Sequence, residues 1–449
     1  MLRHVTRRTF LRTTTASIAA LPLATVSRTV LGSNERLAVA CIGVGGRGRA
    51  DVNGVAAHDL TSIIALGDVD DGNLAATRKD FAAARTFNDY RVMFDTMEKQ
   101  IDAVVIGTPD HTHAPAMLRA LRMKKHVYCE KPLTRTVAEA RVIATETARA
   151  GVVTQMGTQI HARTNYRRVV ELVQSGAIGA VRRVHTWVDG GWHGGDRFGE
   201  KKPVPAGLHW DLWLGPAPSR EYRTELHPFY WRGWWNFGGG TLADMACHHM
   251  DLPFWALGLR RPTSVEARGP EVHGEYSPRW LIVDYHFAAR SRETAGHGGF
   301  LGKTSKNPGG PPVHLTWYHG GKRPPEVLEG KAPNWGAGSL LVGEKGMLMT
   351  DYNRHRLLPE KDFTDFEPPA AFIPDSVGHH AEWVDACRSG GPTTCNFSYA
   401  GALTEAVLLG NVSHRCGSKL EWEAEKLEAT NTDAAAEYVR QYHRRGWEV

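Results

Sequence analysis

The stretch that most restricts the fold of this chain is Leu37-Ala38-Val39-Ala40-Cys41-Ile42. This short apolar run of strand type enters Gly43-Val44-Gly45-Gly46-Arg47-Gly48 and then a helical segment to about Ala57. A strand passing through Gly-x-Gly-x-x-Gly into a helix opens a dinucleotide-binding unit. Gly43 permits the tight turn, Gly45 (with Gly46 beside it) lets the backbone approach a pyrophosphate, and Gly48 lets helix and strand pack closely. A second strand, Thr61 to Leu66, delivers Asp68 about twenty residues later. A carboxylate there would bond both ribose hydroxyls and repel a 2′-phosphate, so NAD is expected and NADP disfavoured. Arg47 is the counterweight, since its guanidinium suits either that phosphate or the diphosphate.

The alternation continues with a helix over Ala75 to Arg85, a buried strand from Ile101 to Gly107, a helix from Ala114 to Met123 and a strand from His126 to Cys129. This is a parallel, wound α/β pattern occupying about residues 35–155. Thr108-Pro109-Asp110-His111-Thr112-His113 follows the third strand at its carboxyl end, where open α/β sheets bind ligands. Thr108, Pro109, His111 and His113 are therefore expected to line the nicotinamide side or cap the next helix, with catalysis by either histidine the lesser reading. Glu130-Lys131-Pro132 then places an ammonium at a strand end, where it can stabilise a substrate oxygen.

Gly238-Gly239-Gly240-Thr241-Leu242-Ala243-Asp244-Met245-Ala246-Cys247-His248-His249-Met250-Asp251 is the second chemical signal. With Thr241 as N-cap of a helix, Asp244 and His248 stand one turn apart, the carboxylate orienting the imidazole for proton transfer. A dipole-favoured acid and a core histidine are the bland alternatives. Asp251 shares the face, but no third nitrogen or sulfur ligand is evident, so no metal is expected. Pro253 predicts a kink after His249.

These motifs, in the order Gly43-x-Gly45-x-x-Gly48, Asp68, Thr108-Pro109-Asp110-His111-Thr112-His113, Glu130-Lys131-Pro132 and Gly239-Gly240-x-x-x-Asp244-x-x-x-His248, resemble the glucose-fructose oxidoreductase, inositol dehydrogenase and MocA (Gfo/Idh/MocA) family. The resemblance spans nearly the whole chain after its first residues. It implies that Lys131, Asp244 and His248 surround a hydroxyl under oxidation, with Glu130 and Lys131 near the cofactor. It also implies a Rossmann domain followed by an open, mainly antiparallel sheet domain (α/β plus α+β), with late helices packing back near the junction.

The second domain, residues 156–449, has a helix from Asn165 to Ser175. Its strands are Val181 to Val188, Val265 to Arg268, Arg279 to Phe287, Val313 to Trp317 and Ser339 to Thr350. Late helices are expected at Val377 to Cys387, Tyr399 to Val412 and Asp433 to His443, with a long exposed loop at Gly296 to Gly310. Between Gly190 and Gly240 the chain is rich in Trp, Gly and Pro. Such rings stack on sugars, and Trp234 and Trp235, close to Gly238, are the chosen contacts together with His249.

With 449 residues, two domains are the natural partition. Residues 1–34 read as a twin-arginine export signal, from Thr6-Arg7-Arg8-Thr9-Phe10-Leu11-Arg12 and a following apolar segment too short to span a membrane permanently. A periplasmic location follows, with the signal cleaved or kept as an anchor. The net charge of +6 is modest, and no basic run interleaved with aromatics occurs in the body of the chain, which excludes nucleic acid as the main partner. A small carbohydrate is the expected partner and a homo-oligomer the expected state. The six cysteines form no C-x-x-C pair, leaving only a single Cys387–Cys395 bridge open. The chemistry read from this set is hydride transfer from a secondary hydroxyl of a sugar, cyclitol or glycoside to tightly held NAD. The alternatives are a glycosidase acting by transient oxidation, elimination and re-reduction, and an NAD-binding protein without turnover.

Overall fold

The computed structural model describes residues 36–193, 199–224, 226–290 and 309–448. The twin-arginine segment and most of the Gly296 to Gly310 loop lie outside the described residues. Six strands build the first sheet: β1 (Leu37–Ile42), β2 (Thr61–Gly67), β3 (Arg85–Phe87), β4 (Ala103–Ile106), β5 (His126–Cys129) and β6 (Thr154–Met156). All pairs are parallel and the order is β3-β2-β1-β4-β5-β6, so the direction of winding reverses between β1 and β4. A ligand-binding crevice belongs at the carboxyl ends of those two strands.

The second sheet contains β7 (Val181–Val188), β8 (Ser264–Arg268), β9 (Leu281–Phe287), β10 (Val313–His319), β11 (Ala337–Gly343), β12 (Met347–Thr350), β13 (His355–Leu358), β14 (Leu420–Glu423) and β15 (Glu428–Ala429). Its order is β13-β12-β11-β7-β10-β9-β8-β14-β15, antiparallel except where β10 runs parallel to β7. Along β9, Leu281, Val283, Tyr285 and Phe287 are buried while Ile282 and His286 on the other face are more open, as for a sheet with one face on the core.

Two helices lock the halves together. Helix Phe397–Cys416, buried along most of its length, packs on helix Val137–Ala150 of the nucleotide domain and on helix Gly240–His249. Helix His379–Ser389 returns to the first sheet, where Trp383 and Val384 join Val39 and Cys41 in one apolar cluster and His380 Nε2 bonds Asp51 Oδ1 at 3.0 Å. Among the described residues, no helix is long and apolar enough to cross a membrane.

Several local expectations change. The helix expected over Ala75 to Arg85 runs instead from Asp71 to Arg78, because the Asp70 carboxylate accepts from Gly72 N and Asn73 N and starts it early. Arg85 belongs to β3, and the helix Tyr90–Met97 was not foreseen. Ser339 to Thr350 is a hairpin of two strands, β11 and β12. The helix expected over Asp433 to His443 shrinks to a turn and Ala436–Val439; the chain then extends, with His443 Nε2 reaching Glu139 at 2.8 Å. All six cysteines are free, so Cys387 and Cys395 form no bridge.

Candidate active site

The glycine turn is set by sterics. Gly43 adopts φ +74°, a left-handed conformation that side chains rarely take. A Cβ on Gly48 would stand 1.9 Å from the Gly43 carbonyl oxygen, so helix Gly46–Ala56 can sit this close to β1 only without one. Around Gly46 an added Cβ would meet nothing within 4 Å, which leaves backbone open toward the crevice. This is a cradle that fits a dinucleotide pyrophosphate.

Asp68, at the end of β2, accepts from Val44 N at 2.8 Å and Asp70 N at 2.9 Å and faces the same cavity. Burial raises its carboxyl above the usual range. Arg47 also lines this cavity, but its guanidinium is held 2.6 Å from Asp51 and 3.2 Å from Glu130. A guanidinium committed to two carboxylates is poorly placed to serve a 2′-phosphate, which agrees with the NAD reading.

The cavity measures about 620 Å³ and extends from the glycine turn, past Asp68, Thr108 and Pro109, to Glu130, Lys131, Asp244 and His248. Lys131 donates from Nζ to the Asp244 carbonyl at 2.9 Å and to Asp244 Oδ1 at 2.5 Å, joining the loop after β5 to helix Gly240–His249. Burial opposes the charge on both, but each outweighs it for the other. Lys131 is held as an ammonium above its usual range, and Asp244, which also feels Arg232 at 3.6 Å, is held as a carboxylate below its own.

His248 lines the cavity, yet it is not bonded to Asp244 as the sequence suggested. The Asp244 oxygens go to Lys131 and to the Trp192 indole N–H, while His248 Nδ1 has no hydrogen-bond partner. Burial, and secondarily the Lys131 ammonium, push the imidazole well below its usual range, so it is neutral at pH 7 and able to accept a proton. Thr241 is not the N-cap: Gly239 occupies that position, Gly240 turns with φ +64°, and Thr241 Oγ1 donates to the Trp192 carbonyl at 3.1 Å. The helix does end at His249, and a second one, Asp251–Leu257, follows.

Other expected residues face inward. His111 Nε2 donates to the Trp213 carbonyl at 2.9 Å, and burial brings its pKa to about 3. His113 lies between the carbonyls of Pro132 and Thr108. His249 bonds and stacks on Tyr352 behind the helix. Trp234 is 1% exposed within an aromatic cluster, and Trp235 donates to the His273 carbonyl; neither lines the cavity. The aromatic rings that do are Tyr90, Trp192, Trp213, Phe229 and Trp231. Asp251 is turned away, its carboxylate shared by His161 and Tyr399.

Arg232 and Asp110, both on the cavity wall, stand in stretches that drew notice without being singled out there themselves. Arg232 sits within the Trp-rich run. Asp110 sits within Thr108 to His113, and burial together with the nearby Asp244 raises its carboxyl to about 8.

Residues 37–158 match the model of an oxidoreductase family with an NAD-binding Rossmann fold, GFO_IDH_MocA, and residues 162–293 match the α/β C-terminal domain of the same family. The first domain is thus an NAD-binding one. An inositol 2-dehydrogenase of Rubrobacter xylanophilus is 33% identical over 164 residues, 35% of this chain and 45% of that relative; the match spans less than half of the relative's length. Among solved structures, GenD2 from gentamicin A biosynthesis, in complex with NAD, superposes with a TM-score of 0.57 at 19% identity, covering 87% of this chain and 97% of that one. The WlbA dehydrogenase of Bordetella pertussis, with NADH and UDP-GlcNAcA, gives 0.57 at 19% identity over 86% and 98%. Both likenesses concern the fold.

Proposed function

The chain belongs to the Gfo/Idh/MocA oxidoreductase family, and from that premise we propose that it oxidises a secondary hydroxyl of a sugar, cyclitol or glycoside with NAD. The observation that carries this reading is the set formed by a charged Lys131, its partner Asp244 and a neutral His248 in the cavity that begins at the glycine turn. Gly43, Gly45, Gly46 and Gly48 would hold the pyrophosphate and Asp68 the ribose. NAD, when bound, supplies the acceptor for the hydride.

His248 takes the hydroxyl proton, being the one neutral base of the three. Lys131 donates a hydrogen bond to the same oxygen as negative charge grows on it. Asp244 holds Lys131 in place and charged, a role different from orienting the histidine. Trp192, Trp213, Phe229 and Trp231 offer ring faces for the apolar side of a sugar.

The glycosidase reading has one observation in its favour. Asp110, on the cavity wall with a pKa of about 8, keeps a proton at neutral pH and can give it to a leaving oxygen. Export through the Thr6 to Arg12 signal, release into the periplasm and assembly as a homo-oligomer complete the proposal. A folded, exported enzyme would keep its NAD and recycle it in place, since free NAD is scarce outside the inner membrane.

The test is purification without added NAD, followed by incubation with a panel of sugars, cyclitols and glycosides while products and reduced nicotinamide absorbance are followed. Turnover beyond one equivalent without NADH build-up supports the closed cycle. Strict dependence on added NAD defeats retention, and bound NAD with no product from any member of the panel defeats the enzymatic reading.

A further inference from the structure

Behind the active site, a second and much smaller cavity of about 20 Å³ lies between the start of helix Val137–Ala150 and the glycines that precede helix Gly240–His249. Its wall carries two guanidinium groups, Arg135 and Arg415. Arg135 is 6% exposed; its Nε has no hydrogen-bond partner, and its one side-chain bond is a long 3.5 Å contact from Nη1 to the Trp235 carbonyl. Arg415 lies between the Trp235 ring at 5.0 Å and the Tyr438 ring at 4.2 Å.

Among the described residues neither guanidinium forms an ion pair, and burial lowers the pKa of both, that of Arg415 to about 10 with the nearby Arg135 adding to the effect. The neighbouring acid is already engaged. Glu139 accepts from Thr136 N and Arg135 N through Oε2 and from His443 through Oε1. No carboxylate lines the pocket; Glu139 and Asp110 act on Arg135, and Glu437 on Arg415, only from outside its wall, so two like charges side by side there are costly to bury. The backbone adds to the same field, because Thr136 and Val137 begin a helix of 14 residues whose amino end carries partial positive charge.

We propose that this cavity is a binding site for one small inorganic anion of chloride size. The volume suits a monatomic ion or a single water and is too small for an enclosed phosphate. An anion there would bond Arg135 and Arg415 and draw together two catalytic supports. Arg135 follows the Glu130-Lys131-Pro132 loop by three residues, and Gly238 and Gly239 lead into the helix that carries Asp244 and His248. The site would thus stiffen the seam between the two domains without touching substrate.

The full-length protein is to be melted in chloride, bromide and gluconate at matched ionic strength. A saturable rise of about 2–4 °C in chloride and bromide, absent in gluconate, is expected from linkage to a native-state site. Arg415→Gln, at a half-buried position, should abolish that difference. Crystals grown in bromide should show anomalous density between Arg135 and Arg415. The same rise in gluconate, a chloride effect that survives in Arg415→Gln, or bromide density absent from this cavity would each overturn the assignment. The bromide crystal uses the unaltered protein, so it decides the matter even if the variant folds poorly.

Discussion

Removing the Lys131 charge tests the site most sharply, because its effect on folding and its effect on chemistry can be separated. The Lys131 and Asp244 side chains are 13% and 12% exposed, and their contact is short. Lys131→Met keeps most of the volume but leaves a buried carboxylate whose remaining partners are the Trp192 indole and Arg232 at 3.6 Å. Breaking a buried pair from one side costs roughly 3–5 kcal/mol, and these two partners place the cost near the lower end, about 3 kcal/mol. Asp244→Asn should cost less, about 1–2 kcal/mol, because Lys131 keeps the Asp244 carbonyl at 2.9 Å. The double variant removes both charges and should be more stable than the two losses added together predict, by about 2 kcal/mol. Urea unfolding of the cofactor-free proteins at pH 7 measures all four corners of the cycle. Asp244 has a folded-state pKa below its unfolded one, so its contribution is present above the unfolded value and disappears as pH falls through the folded one. The deficit of Lys131→Met should therefore shrink in acid. Additivity within about 0.5 kcal/mol, or a deficit independent of pH, would refute the coupling.

Gly48→Ala should abolish NAD binding in titration calorimetry, because its Cβ would meet backbone at 1.9 Å; unchanged affinity would contradict the close helix–strand approach. Asp68→Ser should relax discrimination against NADP and cost about 1–2 kcal/mol, since Val44 N and Asp70 N lose an acceptor; an unaltered NAD to NADP preference would remove Asp68 from the ribose. His248→Ala should lower turnover about a hundredfold with little change in NAD affinity. In the parent enzyme, activity should be lost in acid only below the ordinary imidazole range, as pH falls through the depressed His248 value; an acid limb at or above that range would point to another base. Trp192→Phe keeps a ring but removes the N–H that meets Asp244, so it should weaken the stability coupling to Lys131 as well as substrate affinity, as judged by KM.

What was legible in the sequence is what local geometry dictates. The glycine turn, Asp68 and strands β1, β2, β4 and β5 follow from patterns that act within a few residues, and β7 from its alternating character; β3 and β6 carried no such local signal. The spacing of Asp244 and His248 likewise announces a shared helix face, but not what each side chain meets. That is settled by Lys131, 113 positions away from Asp244, and by Trp192, 52 positions away, which together occupy the carboxylate that helical spacing would have assigned to the histidine. The tryptophans make the same point. Proximity to Gly238 favoured Trp234 and Trp235, yet the turn Tyr230–Gly233 directs Trp231 into the cavity and sends Trp234 into the cluster with Trp213 and Phe237. A run of rings reports that aromatic surface is available; which ring meets a ligand is decided by backbone that folds back from other parts of the chain. The Trp192 carbonyl, held by Thr241 N, Thr241 Oγ1 and Ser277 Oγ, is such a piece of backbone. Three donors on one carbonyl fix a loop that no local pattern marks. That anchoring explains why the ring most directly tied to the catalytic pair was the one the sequence left unnamed.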